Sequence, residues 1–146
     1  MKKLLLVLLL ILLGTNSINA QEWFTDIEMA KKTASDESKP IILVFAGSDW
    51  CAPCIKLEKE ILETTQFKKY AREKYVLLKA DFPRKKKNQL SESLQQHNKQ
   101  LAEAYNKSGG FPLVVVLDKN GKKIGETGYK KMTPEAYIQV LNSMIK

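Results

Sequence analysis

Two cysteines, and only two, stand in the stretch Gly47-Ser48-Asp49-Trp50-Cys51-Ala52-Pro53-Cys54. An apolar run without a single polar residue, Ile41-Ile42-Leu43-Val44-Phe45-Ala46, leads into it. A helical pattern leaves it, with Leu57, Ile61 and Leu62 on one side and Lys56, Glu58, Lys59 and Glu60 around them. The pair is therefore predicted to sit where a buried strand ends and a helix begins. A helix start exposes unpaired N–H groups and carries partial positive charge. Both favour the thiolate, which is the reactive form of cysteine. Pro53 fits that position, because the first helical turn does not need its missing donor. On this ground Cys51 is expected to be the more exposed cysteine, with the lower pKa.

The N-terminus reads as a separate unit. Lys2 and Lys3 precede an uninterrupted apolar run, Leu4 to Leu13, and a small polar stretch ending Ile18-Asn19-Ala20. That is the pattern of a secretory signal peptide, residues 1–20, cut after Ala20. The apolar run is half of the roughly 20 residues that a spanning helix needs. No cysteine lies near the cut to carry a lipoprotein anchor. Export places the cysteines in an oxidising compartment, periplasmic or extracellular, where the pair is either a structural disulfide or a redox centre. The mature chain, 21–146, is then one domain with no stable membrane insertion. Cleavage lowers the basic count from 24 to 22 against 16 acids, leaving a charge of +6. Part of that excess is Arg84-Lys85-Lys86-Lys87. Such a run suits nucleic acid or an anionic surface, but no aromatic residues are interleaved with it, and the expectation is a solvated loop.

Read in order, Trp23, Ile27, Ala30 and Ala34 predict a helix over about 22–36, stopped by Lys39-Pro40. Strand 41–46 lacks polar alternation and is expected to be central. The helix from Cys51 to Leu62 restarts at a Thr64 or Thr65 cap, with Phe67 and Tyr70 inward. Residues 76–81 form a second strand, ended by Pro83. A helix is expected over about 89–105, with a break near Asn98. Leu113 to Leu117 is a third strand, Asp118-Lys119-Asn120-Gly121 a hairpin turn and 122–127 an antiparallel edge strand. Thr133 and Pro134 open a last helix whose buried stripe is Tyr137, Val140, Leu141 and Met144. This order implies an α/β fold: a mixed central β-sheet of about four strands with helices on both faces.

Strand, Trp-Cys-x-Pro-Cys, helix, and a later Phe-Pro before a strand resembles the thioredoxin-like family. The nearer likeness is to secreted bacterial thioredoxin-like proteins and to the periplasmic domain of the transmembrane thiol:disulfide interchange protein. Gly47-Ser48-Asp49-Trp50-Cys51, Ala80-Asp81-Phe82-Pro83 and Gly110-Phe111-Pro112 carry it, and it spans about residues 22–146. The resemblance implies that Cys51 attacks and Cys54 resolves. It implies that Pro112 is a cis-proline facing the pair, that the backbone of Phe111 pairs with the substrate chain, and that Trp50 shields the cysteines. Phe45 stands six residues before Cys51, where many thioredoxins carry a buried acid. Glu58, four residues after Cys54 and on the same helix face, is the candidate replacement for proton transfer. Leu113 replaces the threonine that often follows the cis-proline.

The chemistry so implied is thiol–disulfide exchange with disulfide-containing proteins, needing no cofactor and no metal. His97 is the only histidine and lies far from the pair in sequence, which argues against a Cys–His couple or a metal site. Ala52-Pro53 lacks the histidine found between the cysteines of related oxidants and isomerases. The first expectation is thus an exported reductase, recharged by a membrane electron-donor protein. The alternatives are a disulfide oxidase or isomerase, and a non-enzymatic binding module with a structural disulfide. A bridge this short closes a tiny loop and stabilises little, which weighs against the last.

Overall fold

The computed structural model describes residues 22–146. The segment read as a signal peptide, residues 1–20, lies outside the described residues. Twelve elements make up the described residues. They begin with β1 (Trp23–Phe24), α1 (Ile27–Glu37) and β2 (Ile41–Ala46). Helix α2 (Ala52–Leu57) runs on into a π-helical turn, Glu58–Leu62. Then come α3 (Thr65–Lys74), β3 (Val76–Asp81), α4 (Glu92–Tyr105), β4 (Leu113–Leu117), β5 (Lys123–Thr127) and α5 (Pro134–Met144). A 3-10 turn, Lys86–Asn88, bridges β3 and α4.

The sheet has five strands in the order β1-β3-β2-β4-β5. Strand β2 runs parallel to β3 and antiparallel to β4. All six of its residues are buried, as expected of a central strand covered on both faces. Alternation sends Ile42, Val44 and Ala46 to one face, with Leu77, Val114 and Val116, and there they meet α2, α3 and α5. Ile41, Leu43 and Phe45 go to the other face and meet Ala30 and Ala34 of α1 and Leu101 of α4. The cysteines belong to the first core, and Phe45 to the second.

Four expectations are corrected. The fifth strand is Trp23–Phe24, which pairs with Leu77 and Leu78 and so covers the free edge of β3. The first helix therefore starts later than residue 22. Asp26 caps it by accepting a hydrogen bond from Met29 N–H at 2.8 Å, and a capped helix does not extend backwards. The fourth helix starts at Glu92 behind the cap Ser91, and it is unbroken at Asn98. That residue is buried and donates its amide to the Asp81 carbonyl at 2.9 Å, tying α4 to the end of β3. Along α5 the buried residues are Tyr137, Ile138 and Leu141, while Val140 and Met144 are half-buried. The stripe is turned because α5 packs against α3 as well as against the sheet. His97 has a local role: its Nε2 accepts the Ile27 N–H at 3.3 Å, at the start of α1.

Phe45 is fully buried and sits between Ala80 and Leu113 on the neighbouring strands. Phe45→Ala should cost about 3–5 kcal/mol, as large-to-small changes at closed core sites do. The urea midpoint should fall with an unchanged slope. A loss below about 1 kcal/mol would show that the core collapses around the site.

Candidate functional site

The end of β2 delivers the chain at Gly47 to a turn in which Trp50 N–H and Cys51 N–H both donate to the Gly47 carbonyl. Cys51 is the N-cap of α2, in extended conformation, and Pro53 lies in the first turn. Cys51 and Cys54 are joined as a disulfide, with their Cα atoms 5.2 Å apart. Each sulfur takes a backbone N–H: Cys51 Sγ from Cys54 at 3.3 Å, and Cys54 Sγ from Gly47 at 3.5 Å. Position alone does not make Cys51 the more exposed, contrary to expectation. Both cysteines are 4% exposed.

An aromatic cluster adjoins the pair. Trp50 donates Nε1–H to the Phe82 carbonyl at 2.8 Å. Its ring meets Phe111 edge-on at 5.6 Å between centroids, and Phe111 meets Phe82 at 5.4 Å. The Phe111–Pro112 peptide is cis. Gly47 is required beneath Trp50, because a Cβ there would lie 2.3 Å from the indole. Trp50 and Phe111 both pack against the core cluster that holds Cys51 and Cys54.

Glu58 opens the π-helical turn, where Glu63 N–H reaches back five residues to the Glu58 carbonyl at 2.8 Å. Its carboxylate is gripped by Lys79 of β3, with Nζ 2.8 and 2.9 Å from the two oxygens. The two side chains are 32% and 23% exposed. Together with Ala46, Ser48 and Cys54 they line a crevice of about 220 Å³. So Glu58 is partly shielded and shares a crevice with Cys54. Lys79 was missed, although a lone cation in the run Val76-Leu77-Leu78-Lys79-Ala80 signals a buried-strand charge that needs a partner. Its ammonium also lies 4.8 Å from the centroid of the Trp23 ring.

Two more carboxylates lock the loops around the pair, and neither was anticipated. Asp81 accepts from Ser48 N–H at 2.9 Å and from Ser48 Oγ at 2.6 Å. Asp49 accepts from Arg84 N–H at 2.9 Å, Lys85 N–H at 3.0 Å and Asn88 Nδ2 at 2.9 Å. The Arg84 guanidinium lies 3.7 Å over the Trp50 ring, within cation–π range. The basic run is exposed, as its composition implies, and in addition it is tied to the cysteine loop through Arg84 and Asp49. No helix among the described residues is long and apolar enough to cross a membrane.

The Asp49 contacts carry a pH signature. The hydrogen bond from Arg84 N–H chiefly, aided by Asn88 and Lys85, outweighs the opposing effect of burial and holds the carboxyl below its ordinary value. A carboxyl depressed in the folded state adds stability above its unfolded pKa of about 3.9 and loses it as the pH falls toward the folded value. Wild type should therefore exceed Asp49→Asn in thermal midpoint at neutral pH. The difference should close on acidification below about pH 4. A difference independent of pH would contradict this.

Comparison with known proteins agrees with this geometry. A family model, the thioredoxin-like domain, matches residues 27–145. The chain is 35% identical over 125 residues to the disulfide bond reductase DsbH of Chlamydia pneumoniae, across 86% of this chain and 73% of that protein. It is 28% identical over 106 residues to the thioredoxin-related protein DsbJ of the same organism, across 73% of this chain but only 30% of that protein. A solved structure titled DsbH oxidoreductase superposes with a TM-score of 0.79 at 34% identity, covering 90% of each chain. With a cysteine pair at the start of α2, a cis Phe111–Pro112 peptide and these matches, the chain belongs to the thioredoxin-like family of disulfide oxidoreductases.

Proposed function

We propose that the mature protein, residues 21–146, is exported and reduces disulfides in extracytoplasmic proteins through the Cys51/Cys54 dithiol. The observation that carries this reading is the Cys51–Cys54 disulfide at the N-terminus of α2. The name of the relative, a disulfide bond reductase, supports the direction. So does Ala52-Pro53, which puts no histidine between the cysteines to stabilise a reduced thiolate. The export signal is Lys2-Lys3 followed by Leu4 to Leu13.

In the reduced protein Cys51 is the attacking thiolate. It is the N-cap, and the Cys54 N–H that now reaches its sulfur would stabilise the negative charge. Attack on a substrate disulfide forms a Cys51–substrate S–S bond, breaks the substrate's own, and releases one substrate sulfur as thiolate. Cys54 then gives up its proton and attacks Cys51 Sγ, releasing the second substrate sulfur. Two electrons have passed to the substrate, and the protein holds the disulfide seen here. A membrane electron-donor protein, itself a dithiol, restores Cys51 and Cys54. Glu58 takes the Cys54 proton, and Lys79 holds the Glu58 carboxylate at the crevice they share with that cysteine. Trp50, Phe111 and Pro112 receive the substrate chain.

Cys51→Ser should abolish insulin reduction. Cys54→Ser should instead trap a mixed disulfide, visible by mass spectrometry. Equal trapping by both variants would overturn the division of roles. Glu58→Gln should slow the release of substrate from a Cys51 mixed disulfide about tenfold or more, and leave its formation nearly unchanged, in stopped-flow traces. An unchanged release rate would remove Glu58 from the mechanism.

A further inference from the structure

Arg84-Lys85-Lys86-Lys87 has no part in the exchange chemistry, yet it is built against the site. Asp49, two residues before Cys51, accepts the backbone N–H groups of Arg84 and Lys85 and the side chain of Asn88. Arg84 lies on the ring of Trp50, the residue next to Cys51. The 3-10 turn at Lys86–Asn88 advances three residues per turn, so Lys85, Lys86 and Lys87 fan out in different directions. All four basic residues are exposed. None forms an ion pair among the described residues, and residues 1–21 contain no acid. The nearby carboxylates already have partners: Asp49 accepts from this loop's own amides, and Asp81 from Ser48. Four cations against the one Asp49 charge leave a net cationic lip, held to the cysteine loop by the Asp49 hydrogen bonds.

We propose that this lip docks acidic protein segments that flank the disulfide to be exchanged, so that the preferred partners carry Asp- or Glu-rich sequence next to a cysteine. The proposal rests on the reductase reading and adds a substrate class to it. A protein segment is favoured over an anionic membrane by position. Whatever sits on the lip also covers Trp50, and a bilayer there would bar protein substrates from Cys51. Clustered surface charge of one sign raises association rates by about 10–10³-fold. Its reach in physiological salt is about 8 Å, so the acids must lie within a few residues of the substrate cysteine.

The test compares three disulfide-linked peptides, flanked by acidic, neutral or basic residues, in stopped-flow reduction by wild type and by Lys85→Gln/Lys86→Gln/Lys87→Gln. Arg84 is kept because it packs on Trp50. The triple variant should lose about tenfold in rate on the acidic peptide at low ionic strength and none on the neutral one. Added salt should slow wild type on the acidic peptide and affect the variant much less. Lys85→Glu/Lys86→Glu/Lys87→Glu should reverse the preference toward the basic peptide. Equal rates on all three peptides, or equal loss on all three, overturns the lip. So does binding of wild type but not the variant to phosphatidylglycerol vesicles with peptide rates unchanged, which would assign the strip to a membrane. If the neutral peptide is not reduced at all, the reductase reading falls. Fluorescence anisotropy then still decides the lip: the acidic peptide must bind the oxidised protein at least several-fold more tightly than the neutral one, and the variant must lose that difference.

Discussion

Strand β2 has neither a free edge nor a free face, and the rest of the molecule depends on that confinement. Its residues pair with β3 on one side and β4 on the other. Its side chains serve two cores at once. A strand held this way has one register, because a slip of one residue would exchange the two faces. The chain therefore leaves at Gly47 in a fixed place and direction. The turn beyond it puts Cys51 at the start of α2, where unpaired N–H groups and the helix dipole act on its sulfur. Reactivity in this protein begins with an apolar packing constraint several residues away from the reactive atom.

Around that fixed point the loops are held by carboxylates, each with a different geometry. Asp81 fastens the cysteine loop to the end of β3 through Ser48. Asp49 fastens the next loop to it through Arg84, Lys85 and Asn88. Glu58 ties the far end of the active helix to β3 through Lys79. Hydrogen bonds to charged groups contribute more than neutral ones, and three of these use backbone N–H groups, of Ser48, Arg84 and Lys85, that would otherwise need water. The pairs lie near the surface, so their value is positional more than energetic. The same network that orders the cysteine loop also sets the basic run beside it.

Much of this was legible in the residues. Strands 41–46, 76–81 and 113–117 lie where their apolar runs place them, because a run with no polar face suits only a covered strand. Thr64 and Thr133 cap the helices they precede, since their hydroxyls satisfy N–H groups locally. What the residues hid was non-local. Trp23–Phe24 carries a helical spacing, and only the open edge of β3 makes it a strand. The π-helical turn at Glu58–Leu62 has no composition of its own. Lys79, Asp81 and Arg84 acquire their roles from partners about 20 to 35 residues distant. Phe45 stands where a buried acid near the cysteines is expected, but the strand's alternation turns it to the opposite core, and the crevice beside Cys54 is lined by Glu58 and Lys79.

Direction of electron flow is the central claim, and it is set by the free-energy difference between the dithiol and the disulfide of Cys51 and Cys54. Two features bear on it: no histidine between the cysteines, and a backbone N–H of Cys54 that donates to Cys51 Sγ at the helix start. Equilibrating the protein with glutathione or dithiothreitol buffers and quantifying the reduced fraction measures the potential directly. The account predicts a value near the thioredoxin range of about −270 mV. A value near the range of about −120 mV found for strong oxidants would contradict it and make the protein a disulfide donor.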